Sequence, residues 1–342
     1  MQVKQTKLTD FVGAPDKQLV VPVYQRVYSW TRPQLREFWD DLMEAGRAGR
    51  PHFMGMVFFS KGASHYEGVR QLDLIDGQQR MTTFTLMMCA VRSWLEESGK
   101  TFDGMGPDEV ADVFLRLALP DGDACKLVLS RADAPTLRWL EGIGEKPAAD
   151  EEYSKLVVES YEWFRDRMDA EGFDFDAFER GVAQLYIVEV LMEATDRQQT
   201  VFESLNSKGL PLSTPDLVRN FLLMRPEFDD KSYLYDTYWS KVEDAFSADP
   251  DDRYLAHAIR MWTGSGVAVK DDRGIFDAFK MSFAVKGRDA LEKRTAGLAG
   301  YCIAFHEKVE AGDEATLAAC REWEESRGKA ERLRNDRKIF GD

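Results

Sequence analysis

Cysteine and histidine are scarce in this chain of 342 residues, and their spacing argues against several kinds of metal site. No Cys-x-x-Cys pair is present, which argues against a zinc ribbon and predicts reduced, structural thiols, as in a cytoplasmic protein. The histidines form neither a His-Asn-His nor a His-x-x-x-His arrangement, so no metal-finger nuclease is recognisable. The residues concerned are His52, His65, His257, His306, Cys89, Cys125, Cys302 and Cys320.

Long apolar runs and the common nucleotide and hydrolase signatures are also missing. Residues 1–20 lack the apolar core of a signal peptide, and no run approaches the roughly 20 apolar residues that cross a bilayer. We therefore expect a cytoplasmic protein with no membrane partner. The sequence contains no Gly-x-x-x-x-Gly-Lys-Ser/Thr, no Gly-x-Ser-x-Gly and no His-Glu-x-x-His. These absences exclude an ordinary P-loop and argue against the serine hydrolases and metalloproteases that carry the other two motifs.

Positive charge is in deficit, with 45 Lys and Arg against 60 Asp and Glu and a net charge of −15. This balance argues against a protein that wraps nucleic acid by bulk attraction, so any DNA contact must be local. The 44% apolar and 31% charged content is typical of a globular chain, long enough for two or three domains.

The most informative segment is Asp76-Gly77-Gln78-Gln79-Arg80, which lies between a strand-like run and a long apolar helical run that opens at Met81. Backbone amides at a helix N-terminus are unpaired and carry the positive end of the helix dipole, so an anion over residues 80–83 is favoured. The Arg80 guanidinium suits phosphate oxygens, while the two glutamines suit a base, a sugar or a water. The alternative is structural: Asp76 caps the helix, Gly77 makes the turn and Arg80 pairs with an acid.

Three more segments accompany this one, namely residues 21–30 with Tyr24-Gln25-Arg26, residues 52–55 with the sequence His-Phe-Met-Gly, and residues 202–220 with Phe-x-x-Leu-Asn-x-x-Gly. Over roughly residues 8–225 the chain resembles the N-terminal domain of GmrSD-type modification-dependent restriction enzymes, a ParB/sulfiredoxin-like group. The resemblance implies a nucleotide-hydrolysing module of bacterial defence against phage DNA, often fused to a C-terminal His-Asn-His-type nuclease. Double-stranded phage or modified DNA is the implied target.

The second half of such an enzyme is not recognisable here, and we expect a chain cut from a longer protein. A C-terminal nuclease domain or a partner subunit would then supply the toxic output, and a homo-oligomer is a further possible assembly. Sulfiredoxin-type redox chemistry is not expected, because no cysteine lies between Asp76 and Arg80.

The predicted site is composite. Asp76, Gln78, Gln79 and Arg80 are its catalytic candidates, with Arg80 on phosphate and Gln79 positioning a water. The candidates for nucleotide binding are Gln25, Arg26, Gly77, Thr82, Asn206 and Lys208. The expected cofactors are Mg²⁺ and a nucleoside triphosphate, GTP or ATP, with Asp76 as a candidate metal ligand. Capping explains Asp76 equally well, and a salt bridge on a helix face explains Glu203 better than a role as a second acid.

The first segment also offers a candidate reader of DNA modification, because Pro22, Tyr24 and Gln25 match the region that related defence proteins use for that purpose. An aromatic face beside an arginine can stack a base. Core packing is the alternative for the neighbouring Tyr28 and Trp30.

The predicted fold class is α+β. We expect a ParB/sulfiredoxin-like small sheet with helices over residues 1–225, a helical insertion at about 99–180, and an all-α domain or linker over 226–342. Strands are predicted at 55–60, 66–75 and 185–191, the first two as a hairpin, and helices from Thr31, Met81, Arg197 and Thr214.

The predicted function is a nucleotide-hydrolysing sensor that recognises modified DNA in an anti-phage restriction system. Two alternatives remain open on the sequence. In the first, the ParB-like domain cuts DNA itself, with Asp76 and Glu203 holding a metal. In the second, the same segments form a non-catalytic reader of modified DNA or a scaffold.

Overall fold

The computed structural model describes residues 1–120, 122–130, 133–147, 153–193, 196, 212–225, 228, 232–247, 253–264 and 271–326. The chain divides into two compact units, Met1–Phe202 and Glu203–Asp342. The first unit combines a mixed sheet with helices, and the described part of the second is helical. The predicted α+β class with an all-helical C-terminal region is confirmed.

A six-stranded mixed sheet organises the first unit, in the order β1-β8-β3-β4-β2-β7. A separate two-stranded ribbon pairs β5 with β6. The strands are β1 (Gln2–Lys7), β2 (Lys17–Val20), β3 (His52–Lys61), β4 (Arg70–Asp76), β5 (Arg116–Leu117), β6 (Ala124–Cys125), β7 (Leu127–Val128) and β8 (Leu185–Met192).

The helices of the first unit surround a core built on one long buried helix, α3, whose side chains are mostly inaccessible to solvent. The helices are α1 (Leu8–Gly13), α2 (Arg32–Ala48), α3 (Gln78–Ser98), α4 (Pro107–Phe114), α5 (Ala134–Leu140), α6 (Lys155–Asp169) and α7 (Phe175–Ala183). The capping box predicted for α2 is confirmed, because the Thr31 amide donates to Gln34 Oε1 at 3.0 Å.

The predicted hairpin and the predicted returning strand are both confirmed. β3 and β4 pair antiparallel, with Phe59 opposite Leu74, and the connection runs from 62 to 69. β8 lies parallel to β3, with Phe58 opposite Val190. These pairings place the C-terminal end of β4, which carries Asp76, beside the strand that contains the His-Phe-Met-Gly segment.

The insertion predicted as helical contains strands as well, which corrects that prediction. Between α4 and α5 the chain forms β5, β6 and β7, and β7 extends the main sheet by pairing parallel to β2, with Leu19 opposite Leu127. Strands of two residues are too short to show an alternating pattern, so no periodic signal could predict them.

The second unit contains described helices at Thr214–Leu223, Ser240–Ala245, Arg253–Trp262, Asp272–Ser282 and Arg288–Glu310, with a π-helix at Tyr235–Trp239. Ser213, rather than the predicted Thr214, caps the first of them by accepting a hydrogen bond from the Asp216 amide at 3.3 Å. The helix predicted over 197–207 lies outside the described residues. Among the helices that are described, none is long and apolar enough to cross a membrane.

Candidate functional site

The helix that follows Asp76 begins at Gln78, three residues before the predicted start. Gly77 alone makes the turn, with φ of 100°, and the Met81 amide already donates to the Gly77 carbonyl at 3.0 Å. The amides left unpaired by the helix are therefore those of residues 78–80, not the predicted set 80–83. Glutamine and arginine are good helix formers, so the polar first turn of α3 precedes the apolar pattern by which we located the helix.

Arg80 crosses from this first turn to the neighbouring strand. Its Nη1 donates to the Met54 carbonyl at 2.8 Å, and its Nη2 lies 3.4 Å from Asp76 Oδ2. The side chain is 19% exposed. Burial lowers the pKa of Arg80, and the Asp76 carboxylate opposes that effect. The guanidinium is thus fixed at two points while it stays partly open to solvent.

A β-bulge at Met54 and Gly55 makes room for that crossing. Phe53 pairs with Tyr186 and Met56 with Val188, so two residues of β3 oppose one residue of β8. Gly55 has φ of 104°, and a Cβ placed on it would lie 2.0 Å from Arg80 Nη1. A side chain at position 55 is therefore incompatible with the observed position of Arg80. A glycine inside an apolar strand is the sequence signal that could have located this bulge.

Asp76 lies among several cationic or hydrogen-bonding groups. Burial raises the pKa of its carboxyl group, and Arg80, a hydrogen bond from the Gly77 amide, and Arg26 all act in the opposite direction. Arg26 comes from the Tyr-Gln-Arg segment. The charges of both arginines therefore act on this one carboxylate, and Arg80 lies 3.4 Å from it.

Two glutamines hold the loop that carries Arg26. Gln25 is 1% exposed, and its Nε2 donates to the Ile75 carbonyl at 2.8 Å. Gln79 accepts from the Ser29 amide at 2.8 Å and donates to the Val27 carbonyl at 3.1 Å. Gln25 thus joins this loop, residues 25–29, to the end of β4, and Gln79 joins it to the start of α3. The loop cannot shift without breaking these hydrogen bonds.

The tyrosines of the same loop belong to the core. The Tyr28 hydroxyl lies 2.7 Å from Thr83 Oγ1, and burial raises its pKa to about 12. The Tyr28 amide donates to Asp133 Oδ2 at 2.7 Å. Tyr24 is 1% exposed, and burial raises its pKa as well.

This burial bears on the predicted reader of DNA modification, formed by Pro22, Tyr24 and Gln25. Tyr24 and Gln25 are each 1% exposed, so neither side chain offers a face to DNA in this conformation. Pro22 is half-buried. The structure therefore does not support a reader surface built on these two buried side chains.

Gln78 differs from Gln79 in having no hydrogen bond to its amide within the described part of the chain, although it is only 7% exposed. A buried amide without a protein partner is costly unless another group satisfies it. Thr82, one turn further along α3, is 2% exposed. Of the two glutamines, Gln78 is the one whose amide is available to a ligand or water.

A cavity of about 300 Å³ adjoins Arg80 and Met54. Its wall contains the aromatic side chains Trp30, Phe38 and Phe53 together with the polar residues Gln34, Glu37, Asp41 and His52. Aromatic faces beside a fixed guanidinium are the surroundings that suit a planar base with an attached phosphate.

The third motif segment, with Glu203, Asn206 and Lys208, lies outside the described residues, so its predicted contribution is not part of this geometry. Among the residues that are described, no three or more His, Cys, Asp or Glu side chains form a group that could hold a metal ion. Asp76 is a single carboxylate with the Arg80 guanidinium 3.4 Å away, which does not fit a metal site made by this protein alone.

The chain matches one known protein family over most of its first unit. The profile of the N-terminal domain of the GmrSD restriction endonuclease matches residues 8–223, well over half of the chain. The chain belongs to this family. Membership in the GmrSD N-terminal domain family implies a module of a restriction system that acts on modified DNA. No curated protein matches the chain closely enough to add to this assignment.

Within the GmrSD N-terminal domain match lie β4, Gly77 and the first turn of α3, together with the Arg26 loop and the bulge at Gly55. The matched region ends at residue 223 and therefore also includes the third segment that is not described. The recognition of this family from four short motif segments is confirmed.

Proposed function

We propose that this GmrSD N-terminal domain hydrolyses a nucleoside triphosphate and acts as the sensor module of an anti-phage restriction system. One observation carries the proposal: Arg80 lies 3.4 Å from Asp76 at the N-terminal end of α3, and Gln25 and Gln79 hold there the loop whose Arg26 charge also lowers the pKa of Asp76. Two cations and a set of unpaired amides at one place suit a polyphosphate.

Each group in this arrangement has a distinct role in the proposal. Arg80 binds the phosphate chain and keeps its orientation through its hydrogen bond to the Met54 carbonyl. Arg26 binds the same chain from the opposite segment. The amides of residues 78–80 contribute neutral donors. Gln78, which has the free amide, positions the attacking water in place of Gln79, which braces the loop.

The nucleotide base would bind in the cavity next to these phosphate-binding groups. The cavity of about 300 Å³ next to Arg80 offers Trp30 and Phe53 as stacking partners. GTP and ATP are the nucleotides that we expect, and the wall does not by itself select between them. Asn206 and Lys208 remain the predicted residues that complete nucleotide binding.

Mg²⁺ would enter this site with the nucleotide. A magnesium ion usually takes one or two carboxylates together with substrate phosphates, and Asp76 is the carboxylate in position. When bound, the ion would neutralise charge on the phosphates. The described residues provide no metal site without the nucleotide, so we expect no Mg²⁺ binding by the protein alone.

The test is phosphate release from GTP, ATP, CTP and UTP with Mg²⁺, with and without modified DNA. We expect turnover of at least one nucleotide, and a loss of at least 100-fold in Arg80→Ala. Arg92→Ala is a matched control, because Arg92 lies on the same helix, donates to a backbone carbonyl at 3.2 Å and is 21% exposed.

Three results would contradict the proposal. The first is no release from any of the four triphosphates. The second is turnover that survives Arg80→Ala in a folded protein, and the third is equal loss in Arg80→Ala and Arg92→Ala, which would indicate general destabilisation. Nucleotide binding without turnover would favour a non-catalytic reader, and metal-dependent nicking of plasmid would favour a nuclease.

A further inference from the structure

A second cavity, of about 530 Å³, opens at the other end of the sheet. It lies where β1, β8, β3, β4 and β2 meet, near the start of β4, whereas Asp76 and Arg80 lie at and beyond the end of that strand. Seven residues of β4 separate the two ends, or roughly 20 Å of extended chain. The two sites have no residue in common.

Cationic side chains surround this cavity, although the chain as a whole carries a net charge of −15. They are Lys4, Lys17, Lys61 and Arg70. Among the described residues, Glu189 is the only acidic side chain on the wall of this cavity. A concentration of cations in one concave site of an acidic protein favours an anionic ligand at that place.

Two of the four cations already have carboxylate partners. Arg70 makes a double hydrogen bond to Asp16, at 2.7 and 2.9 Å, and Lys4 lies 4.0 Å from Glu189. Lys17 and Lys61 have no ion-pair or hydrogen-bond partner within the described ranges. Their charges are the ones available to a ligand.

Lys17 is the decisive side chain, because it is buried. It is 8% exposed, lines the cavity, and places its Nζ 4.0 Å from the centre of the Phe11 ring without donating a hydrogen bond to any described residue. Burial lowers the pKa of Lys17. The Lys17 Nζ is not fully enclosed, since it is accessible from the cavity that the side chain lines, and an anion in this cavity would be an acceptor for its ammonium group.

The floor of the cavity is apolar. Phe59, Leu72 and Leu191 lie on its wall beside Val3 and Val69. Small-molecule sites typically combine such an apolar lining with a few placed polar groups, within volumes of about 300–1,000 Å³. A bare inorganic ion would leave the apolar surface unused, and a DNA backbone requires an open surface rather than a pocket.

We propose that this cavity is a second binding site, separate from the one at Asp76 and Arg80, for a small organic phosphate of mononucleotide size. Lys17 and Lys61 bind the phosphate group, and the apolar wall formed by Phe59, Leu72 and Leu191 binds the organic part. Occupation of the site would join β2, β3, β4 and β8 through one ligand. The proposal does not depend on nucleotide hydrolysis at the first site.

Calorimetric titration of the full chain with inorganic phosphate, AMP and a short DNA duplex tests this site. We expect AMP to bind more tightly than inorganic phosphate, and both to bind at least tenfold more weakly to Lys17→Met. Lys155→Met is the control, because it removes the same charge from a lysine that is 82% exposed and distant in sequence from both sites. Arg80→Ala should leave AMP binding at this cavity unchanged.

Lys61→Met provides an independent variant, since Lys61 is exposed and its replacement should not disturb folding. If circular dichroism shows that Lys17→Met is unfolded, a loss of at least threefold in AMP affinity in Lys61→Met supports the site. Unchanged AMP affinity in folded Lys17→Met, or a loss that follows Arg80→Ala instead, would overturn the proposal. Equal affinity for phosphate and AMP, or binding of duplex DNA without AMP, would overturn the assignment of the ligand.

Discussion

The close approach of Gly55 to Arg80 leads to a prediction that can be worked out in energy. Gly55→Ala introduces a Cβ that would lie 2.0 Å from Arg80 Nη1, so the guanidinium has to leave its position beside the Met54 carbonyl. A hydrogen bond from a charged group contributes about 1.5–3 kcal/mol. Alanine at a positive φ adds roughly 1–2 kcal/mol of backbone strain. Together these effects predict a loss of about 2.5–5 kcal/mol in the free energy of unfolding.

Gly68→Ala separates the two contributions. Gly68 also has a positive φ, of 77°, but no atom lies within 4 Å of a Cβ placed there. This variant should therefore lose only the roughly 1–2 kcal/mol of backbone strain. The difference between the two alanine variants measures the displacement of Arg80.

A double-mutant cycle with Arg80→Ala makes the test sharper. Once the guanidinium is absent, Gly55→Ala should cost no more than Gly68→Ala, which corresponds to a coupling energy of about 1.5–3 kcal/mol. Urea unfolding followed by circular dichroism gives the four free energies, with m-values compared across the set. We also expect Gly55→Ala to lose nucleotide turnover while Gly68→Ala retains it.

The reasoning would be refuted if Gly55→Ala destabilised the protein no more than Gly68→Ala. It would fail equally if the cost of Gly55→Ala were the same with and without the Arg80 side chain. Either result would mean that the observed position of Arg80 does not require a glycine at position 55 in the bulge of β3.

Three more predictions concern buried groups. Burial raises the pKa of Glu141 to about 8, so between about pH 4.5 and 8 the native state holds a proton that the unfolded chain has released. The free energy of unfolding should therefore fall by roughly 1.4 kcal/mol per pH unit as the pH rises through this range. Glu141→Gln should remove that slope in urea unfolding at pH 5 and pH 8, and an unchanged slope would contradict it. Gln25→Ala should cost about 1–3 kcal/mol and reduce turnover, because the loop loses its bond to Ile75; full turnover would count against the bracing role. Tyr28→Phe should cost about 0.5–1.5 kcal/mol, through the bond to Thr83, and leave turnover intact.

Local sequence patterns predicted the elements that carry strong periodic or capping signals. The Thr31 capping box located the start of α2. An apolar run, a polar turn with a glycine and a partly alternating run located the hairpin of β3 and β4. The start of α3 was placed three residues late, because Gln78 to Arg80 are polar and add nothing to an apolar pattern. β7 was missed because a strand of two residues has no measurable period.

The features of the sites that the sequence did not predict depend on contacts between segments that are far apart in the chain. Arg26, Asp76 and Arg80 belonged to a larger predicted site that also included Gln25, Asn206 and Lys208, and of these three residues Arg80 and Asp76 lie 3.4 Å apart. The bond from Arg80 to the Met54 carbonyl depends on a bulge whose partner strand, β8, lies more than a hundred residues away. The cavity around Lys17 is lined by residues from five strands that are far apart in the chain, and such a set leaves no spacing pattern in the sequence.

The order of the strands also has a consequence for synthesis of the chain. Among the described strands β1 pairs only with β8, and one edge of β3 also pairs with β8. Both therefore remain unpaired until β8 has been synthesised. At roughly 5–20 residues per second, the ribosome needs on the order of ten seconds to proceed from β3 to β8. During that interval the nascent chain holds two unpaired strand edges, which are sites for aggregation or chaperone binding. Completion of residues 185–192 is therefore the step that closes the sheet and ends this exposure.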